Sequence, residues 1–163
     1  MRHEMSIRAD GDRAIVIERT FSAPRSMVWD ALTRPEFLRR WLFGPPGWEM
    51  TECEEDPRVG GKFRWAWRGP NGFAMAMHGE YREVVRPERI VRTETFDTGC
   101  PSQAGEQVGT LTLEENARQT RMTLRVEYPS KEARDGAMAS GMEHGMRAGY
   151  ERLDSVLGEV THD

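Results

Sequence analysis

The hydrophobic pattern at the C-terminal end of the chain predicts one long amphipathic helix over residues 129–160. Apolar or small residues recur there at the spacing of an α-helix, about 3.6 residues per turn. The stripe consists of Met138, Met142, Gly145, Met146, Gly149, Leu153, Val156 and Val160. Each glycine inside a helix costs about 1 kcal/mol relative to alanine. Gly145 and Gly149 therefore indicate either a close approach of another backbone or a hollow beside the helix.

Upstream of this helix the pattern predicts one strand, two short helices and then a series of strands. Residues 14–21 alternate as a strand does, Ser22-Ala23-Pro24 opens a first helix and Pro35 opens a second. From Trp48 onward the period changes to two, and Asn71-Gly72 is typical of a hairpin turn. Further alternating runs cover residues 90–97, 109–115 and 121–128, with a loop over 98–105. The prediction is an α+β domain with about six antiparallel strands after the short helices, curved around the last helix.

Length and composition place this fold in a single domain over residues 13–160, preceded by a flexible tail over residues 1–12. The chain has 163 residues, of which 31% are charged, and it has neither an apolar run that could span a bilayer nor a signal-peptide pattern. We therefore expect a cytoplasmic protein without membrane insertion. A net charge of −4 with mixed signs argues against a nucleic-acid partner. Cys53 and Cys100 are interpreted as reduced thiols.

Four segments, in order over residues 14–158, resemble a known family. They are FSAPRSMVWDALT (21–33) with Trp41, DPRVGGKF (56–63), GEYREVVRPERIV (79–91) and GYERLDSVL (149–157). They are similar to the bacterial START-like (SRPBCC) proteins related to the activator of heat-shock-protein ATPase. The resemblance implies a helix-grip fold, in which an antiparallel sheet of about seven strands grips a long C-terminal helix with a cavity between them. The superfamily holds lipid and hormone carriers, polyketide cyclases, ring-hydroxylase subunits and chaperone activators.

The strongest candidate site is the set of aromatic and methionine side chains that the pattern places on the inner faces of sheet and helix. Methionine adapts to varied apolar ligands, and tryptophan and tyrosine add a donor at a pocket wall. The candidate ligand-binding residues are Trp41, Phe63, Trp65, Trp67, Met75, Met77, Tyr81, Phe96, Met138, Met142, Gly145, Met146 and Gly149, with Phe73 on the same predicted face. A filled core would give the same pattern, so both interpretations stay open. Residues 41–48 are either the mouth of the cavity or a rigid connector.

Catalytic candidates are few. Arg92 and Glu94 share a strand face with Ile90 and Phe96, and we expect an outer or rim placement because charged side chains are seldom buried. On the inner face they would instead place an ion pair or a carboxylate inside the cavity, where burial could raise the pKa of the carboxylate toward the range useful for catalysis. Glu143 is a third candidate, at the edge of the helical stripe. No metal-ligand spacing, phosphate-binding loop or dinucleotide motif is present, so neither a metal nor a cofactor is expected.

The histidines do not strengthen the catalytic hypothesis. His78 is expected to point outward, opposite Met77, and His144 to be solvated on the far side of the helix.

The sequence thus favours a protein that binds a small hydrophobic or amphipathic molecule between the sheet and the C-terminal helix, with no catalysis required. The first alternative is an enzyme of the cyclase, dehydratase or hydrolase kind that uses a carboxylate in the cavity. The second is a protein-interaction module of the chaperone ATPase-activator type. A protein partner, including a second copy of the chain, is left open.

Overall fold

The computed structural model describes residues 3–97 and 105–162. Cys100 and most of the predicted loop over 98–105 lie outside the described residues. The strands are β1 Ser6–Asp10, β2 Ala14–Phe21, β3 Glu49–Glu55, β4 Lys62–Arg68, β5 Ala74–Val85, β6 Arg89–Asp97, β7 Glu106–Asn116 and β8 Gln119–Glu127. The helices are α1 Arg25–Thr33, α2 Pro35–Trp41, α3 Lys131–Ala139 and α4 Met142–His162.

All eight strands form one sheet in the order β1-β2-β8-β7-β6-β5-β4-β3, and every described pair of neighbours is antiparallel. Helices α1 and α2 lie between β2 and β3 in the chain, and they pack against α4. The predicted α+β class, with two short helices after the strand over 14–21 and a long helix at the C-terminus, is confirmed.

The N-terminal segment differs from the prediction. Residues 6–10, expected in a flexible tail, form strand β1 and pair with β2, with Ile7 opposite Ile17. Gly11 turns the chain between the two strands at a φ of +61°, a conformation that glycine adopts without steric cost. Most side chains of β1 are exposed, so the segment carries too little apolar alternation to be recognised. The sheet therefore has eight strands rather than about seven.

The C-terminal helix is also divided, which the sequence analysis did not predict. Ser130 caps α3 by accepting a hydrogen bond from the backbone N–H of Ala133 at 3.0 Å. The helix then stops at Ala139, and Gly141 adopts a φ of +87° before α4 begins. The predicted apolar stripe is thus shared between two helices, and Met138, the member on α3, is 38% exposed.

The predicted hairpin at Asn71-Gly72 is present. Both residues have positive φ, +62° and +77°, in a single 3-10 turn that joins β4 to β5. A bulge between Tyr81 and Glu83 then shifts the register of β5 against β6. Near this bulge the two backbones approach closely, because a Cβ on Gly79 would lie 1.7 Å from the carbonyl oxygen of Thr93. The sheet bends here, next to the candidate site.

One ion pair fixes α4 to the sheet. The guanidinium of Arg19, on β2, donates to both carboxylate oxygens of Asp154 at 2.8 and 2.6 Å, and its side chain is only 2% exposed. It also donates to the carbonyl oxygen of Thr20 at 2.9 Å and lies 4.9 Å from the ring centroid of Phe21. This bidentate geometry sets both the height and the rotation of α4 over the sheet.

The ion pair predicts a specific loss of stability. Asp154→Asn should lower the free energy of unfolding by roughly 2–3 kcal/mol, because the Arg19 charge stays buried without its partner. The expected loss is smaller than for a fully buried ion pair because the Asp154 side chain is 27% exposed. Chemical denaturation measures it. The matched control is Glu143→Gln, which breaks the exposed pair of Glu143 and Arg147 within α4 and should cost less than about 0.5 kcal/mol. Equal losses in the two variants would contradict the anchoring role of Arg19 and Asp154.

Candidate functional site

The predicted aromatic face of the sheet is formed and points toward α4. In the β4–β5 register Trp65 lies opposite Met77 and Trp67 opposite Met75, and in the β5–β6 register Met77 lies opposite Phe96. The rings of Trp67 and Phe96 stack at an interplanar angle of 15°, with their centroids 6.4 Å apart. Side chains of three adjacent strands therefore form one continuous apolar surface, here called the inner face.

The indole N–H groups on and beside this face have partners in the protein. Trp41 donates to the carbonyl oxygen of Ala31 at 2.9 Å, and Trp67 donates to that of Leu42 at 2.6 Å. Trp65 donates to Glu55 Oε2 at 2.7 Å. Residues 41 and 42 are thus tied to both α1 and β4, which supports a rigid connection from α2 to the sheet at this point.

The expectation that Arg92 and Glu94 point outward is wrong. Both lie on the inner face, with side chains only 15% and 5% exposed. Arg92 Nε donates to Glu94 Oε2 at 2.9 Å, and the guanidinium lies 4.1 Å from the ring centroid of Phe63 and 4.8 Å from that of Trp65. Contacts with two aromatic rings and a carboxylate offset the free energy that the guanidinium loses when it is removed from water. Arg92 can therefore stay charged inside the protein.

A second carboxylate lies on the other side of the guanidinium. Glu55, at the end of β3, accepts hydrogen bonds from the Trp65 indole and from the Tyr81 hydroxyl. Burial raises the pKa of Glu55, while Arg92 and these two hydrogen bonds oppose the rise. Burial likewise raises the pKa of the Tyr81 hydroxyl, so it is protonated and can donate.

Two tyrosines and a glutamine complete the polar part of the site, and the sequence analysis missed all three. Gln107 on β7 donates its Nε2 to Glu94 Oε1 at 2.9 Å. Burial first, and then the charge of Glu94, raise the pKa of Tyr128 to about 12, and the same two causes raise that of Tyr150. Two sequence patterns could have identified Tyr150 and Gln107. Tyr150 follows Met146 by one helical turn, and Gln107 lies on the same alternating strand face as Leu113.

Several inner-face apolar side chains are only half-buried, although they lie among fully buried neighbours. They are Met75, Met77, Phe96, Leu111 and Leu124 on the sheet and Met142 and Met146 on α4. Leu111 and Leu124 are opposite each other in the β7–β8 register, and Leu124 is opposite the fully buried Ile17. These apolar side chains of the inner face and of α4 therefore remain partly accessible to solvent.

Two hollows described in the structure lie elsewhere. A groove of about 420 Å³ runs over the outer face of the sheet and is lined by, among others, Lys62, Arg64, His78, Glu80 and Glu106. A hollow of about 40 Å³ lies between α1, α2 and the end of α4. Neither hollow lies between the sheet and the N-terminal half of α4.

Other candidate residues lie outside the inner face. Glu143 is exposed and paired with Arg147 at 2.8 Å, so it cannot serve as a carboxylate inside the site. Phe73, predicted on the aromatic face, is 65% exposed beside the hairpin turn, where the strand has not yet begun. His144 is exposed, and His78 lines the outer groove, as expected.

The two glycines of α4 have different surroundings. A Cβ on Gly149 would lie 3.7 Å from the ring of Trp41, whereas a Cβ on Gly145 would meet no atom within 4 Å. The neighbour of Gly149 is thus an indole at ordinary van der Waals distance rather than a backbone. Gly145 is exposed to solvent, against the prediction that it lines the site.

Neither a metal site nor a membrane span is found in the described part of the chain. Over residues 3–97 and 105–162, no three or more His, Cys, Asp or Glu side chains form a group that could hold a metal ion. None of the helices in these ranges is both long and apolar enough to cross a membrane.

An open antiparallel sheet with a long C-terminal helix is the arrangement of the helix-grip class of the START-like superfamily. Within that class, the chain belongs to the family described as Activator of Hsp90 ATPase homolog 1-like protein, whose model matches residues 22–158. No match was found among curated proteins.

Solved structures share this fold over nearly the whole chain. A protein from Rhodobacter sphaeroides is 35% identical with a TM-score of 0.88, over 96% of this chain and 99% of that one. One from Arthrobacter aurescens is 31% identical with a TM-score of 0.80, over 94% and 91% of the two chains. A third, from Staphylococcus epidermidis, is 28% identical with a TM-score of 0.79, over 95% and 94%.

The surroundings of the two glycines predict opposite effects of substitution. Gly145→Ala should raise the free energy of unfolding by about 1 kcal/mol through helix propensity alone. Gly149→Leu should lower it by roughly 1–3 kcal/mol, because the added atoms overlap the Trp41 ring. Thermal and chemical denaturation of both variants measure these changes. An unaltered stability of Gly149→Leu would instead indicate an open hollow beside α4 at this level.

The burial of the Cys53 thiol predicts an alkylation rate that depends on pH. Burial, with a contribution from Glu55, raises the pKa of this thiol to about 11. Because the thiolate is the reactive form, alkylation near neutral pH should be about 100-fold slower than for an exposed thiol and should increase with pH toward that value. Mass spectrometry of iodoacetamide-treated Cys100→Ser protein gives the rate, and the urea-unfolded protein is the control. A reaction midpoint equal to that of the unfolded protein would contradict the prediction.

Proposed function

We propose that this protein binds a small hydrophobic or amphipathic molecule against the inner face of the sheet, beneath the first turns of α4. The observation that carries the proposal is the band of half-exposed apolar side chains, among them Met77, Phe96 and Met146, that surrounds a buried ionic cluster. Leaving apolar area in contact with water costs about 25 cal/mol per Å², so a ligand that covers this band gains that free energy on binding.

Packing alone accounts less well for the same residues. In the C-terminal half of α4, Leu153, Val156 and Leu157 are fully or almost fully buried against the protein. Nearer its N-terminus, Met142 and Met146 are only half-buried, as are several apolar side chains on the inner face of the sheet. Apolar side chains left partly accessible beside a buried polar cluster are typical of a binding site rather than of a filled core.

An acid–base enzyme is the second candidate, because Glu94 lies inside as such a reaction requires. Both of its carboxylate oxygens already accept hydrogen bonds, one from Arg92 and one from Gln107. Each oxygen keeps a second lone pair, but the ion pair with Arg92 and the bond from Gln107 hold the carboxylate on partners within the protein. The geometry therefore gives Glu94 a positioning role more readily than a catalytic one, and binding remains the function with more support.

A pair of variants on adjacent positions of β5 tests the binding proposal. Met77→Gln places a polar amide on the inner face, and His78→Gln places the same side chain on the outer face. Met77→Gln should weaken binding of the neutral apolar dye Nile red by roughly tenfold, because a polar group is then buried under the ligand. His78→Gln should leave the affinity unchanged. Fluorescence titration measures both, and thermal unfolding shows that each variant is folded.

Native mass spectrometry of freshly purified protein provides an independent test, since a retained molecule appears as added mass. Dye binding that is equally insensitive to both substitutions, together with an unliganded mass, would overturn the proposal.

A further inference from the structure

The sheet is open, and its two edge strands differ in the charges that they present. Among the strands in the described ranges, β1 and β3 are the terminal ones, and each is hydrogen-bonded to a single neighbour. An edge strand offers backbone N–H and C=O groups to a further strand. Along β3 the exposed charged residues are Glu49, Glu52 and Glu54, all of one sign. A second β3 would bring acids together, so this edge is protected against pairing with its own copy.

Strand β1 carries exposed charges of both signs. Arg8 and Asp10 are two residues apart, so both side chains lie on one face of the strand. Arg8 pairs with Glu18 at 3.0 Å and Asp10 with Arg125 at 3.3 Å, yet the side chains of Arg8 and Asp10 remain 59% and 52% exposed. The two ion pairs thus orient these side chains and leave each of them accessible to a further charge.

The chain is fixed to the fold on both sides of β1. Before the strand, His3 Nε2 lies 2.9 Å from the hydroxyl oxygen of Ser22. After it, Arg134 of α3 donates to the carbonyl oxygens of Gly11 and Ala14, each at 2.9 Å. Strands β2 and β8 separate β1 from β6 and β7, and the free edge of β1 faces away from them. A strand held in this way keeps its residues in fixed positions, as the addition of another strand requires.

The charges of β1 complement those of a second copy in one register. In a symmetric pair the two strands run antiparallel about a two-fold axis that passes through one residue position. With the axis at Ala9, Arg8 of each copy lies opposite Asp10 of the other, and two ion pairs form. With the axis at Arg8, the two guanidinium groups would lie opposite each other. Because opposite charges across two strands stabilise their pairing and like charges destabilise it, the side chains select the register at Ala9.

We propose that two copies of this chain associate through their β1 strands, antiparallel about Ala9. Eight strands from each copy then form one continuous sheet of sixteen. The interface is small because β1 has only five residues, and interfaces below about 1,200 Å² in total are typical of weak, reversible association. The dimer does not involve the residues of the proposed binding site, so this inference is independent of the binding function.

Analytical ultracentrifugation of the full chain tests the association, and charge reversals test the register. At concentrations raised to about 1 mM, the unaltered protein should pass reversibly from monomer to dimer. Arg8→Asp leaves two acids on this face of β1, and Asp10→Arg leaves two bases. Each variant alone should dimerise about tenfold more weakly, because both cross-strand pairs become like-charged. Mixed in equal amounts, the two variants should form a heterodimer of roughly the original affinity, because every acid then lies opposite a base.

A reversal on the other edge of the sheet is the matched control. Glu54→Arg changes an exposed charge on β3 and should leave the dimer unaffected. Thermal unfolding shows that each variant is folded, as expected for exposed positions. Where a reversal on β1 fails to fold, the double change Arg8→Gln with Asp10→Asn removes the same pairs without adding like charges, and it should weaken dimerisation severalfold.

Three outcomes would overturn the proposal. The first is a chain that stays monomeric up to about 1 mM. The second is a dimer whose affinity is unchanged in the folded β1 variants. The third is a dimer weakened equally by Glu54→Arg, since that result would indicate a head-to-tail contact of β1 with β3, which forms open chains rather than closed dimers. None of these outcomes changes the Nile red titration, so the two proposals fail separately.

Discussion

The ion pair of Arg19 and Asp154 is the contact on which the arrangement of this protein depends. It joins the second strand to the last helix across 135 residues of sequence and directs both charges to one point beneath the helix. Because two parallel hydrogen bonds fix an orientation as well as a distance, α4 can present only one face to the sheet. Tyr150, one helical turn before Asp154, is thereby held against the rings of Phe21 and Trp41.

Much of the fold could be predicted because its elements follow simple periodicity. Alternation located the strand over residues 14–21 with its bounds, and the change of period at Trp48 located the start of the strand series. Two features of the fold were not predicted, each for a physical reason. Strand β1 buries too few side chains to show an apolar pattern. A glycine within a predicted helix does not reveal the sign of its φ, and the φ of Gly141 is positive, which ends the helix.

The site was predicted in its apolar part and missed in its polar part. Trp65, Trp67, Met75 and Met77 followed from alternation alone. The orientation of Arg92 and Glu94 was predicted wrongly because a general cost of burying charge was applied without the partners that offset it. Those partners lie on other strands, the ring of Phe63 two strands away on β4 and the amide of Gln107 on the adjacent β7. Their proximity depends on register and bulge rather than on local sequence. The apolar residues Ile90 and Phe96 lie on the same strand face as Arg92 and Glu94, and they indicated that this face lies on the inside.

The uneven burial of α4 has a consequence for the proposed binding function. Its C-terminal half is fixed by the Arg19 pair and by buried leucine and valine, while Met142 and Met146 in its first turns are only half-buried. A ligand held as proposed would meet the fixed pair of Arg92 and Glu94 at one end and adaptable methionines along its length. Recognition would then be strict for the functional group and permissive for the size and shape of the carbon skeleton, which suits a protein that handles a series of related compounds rather than a single one.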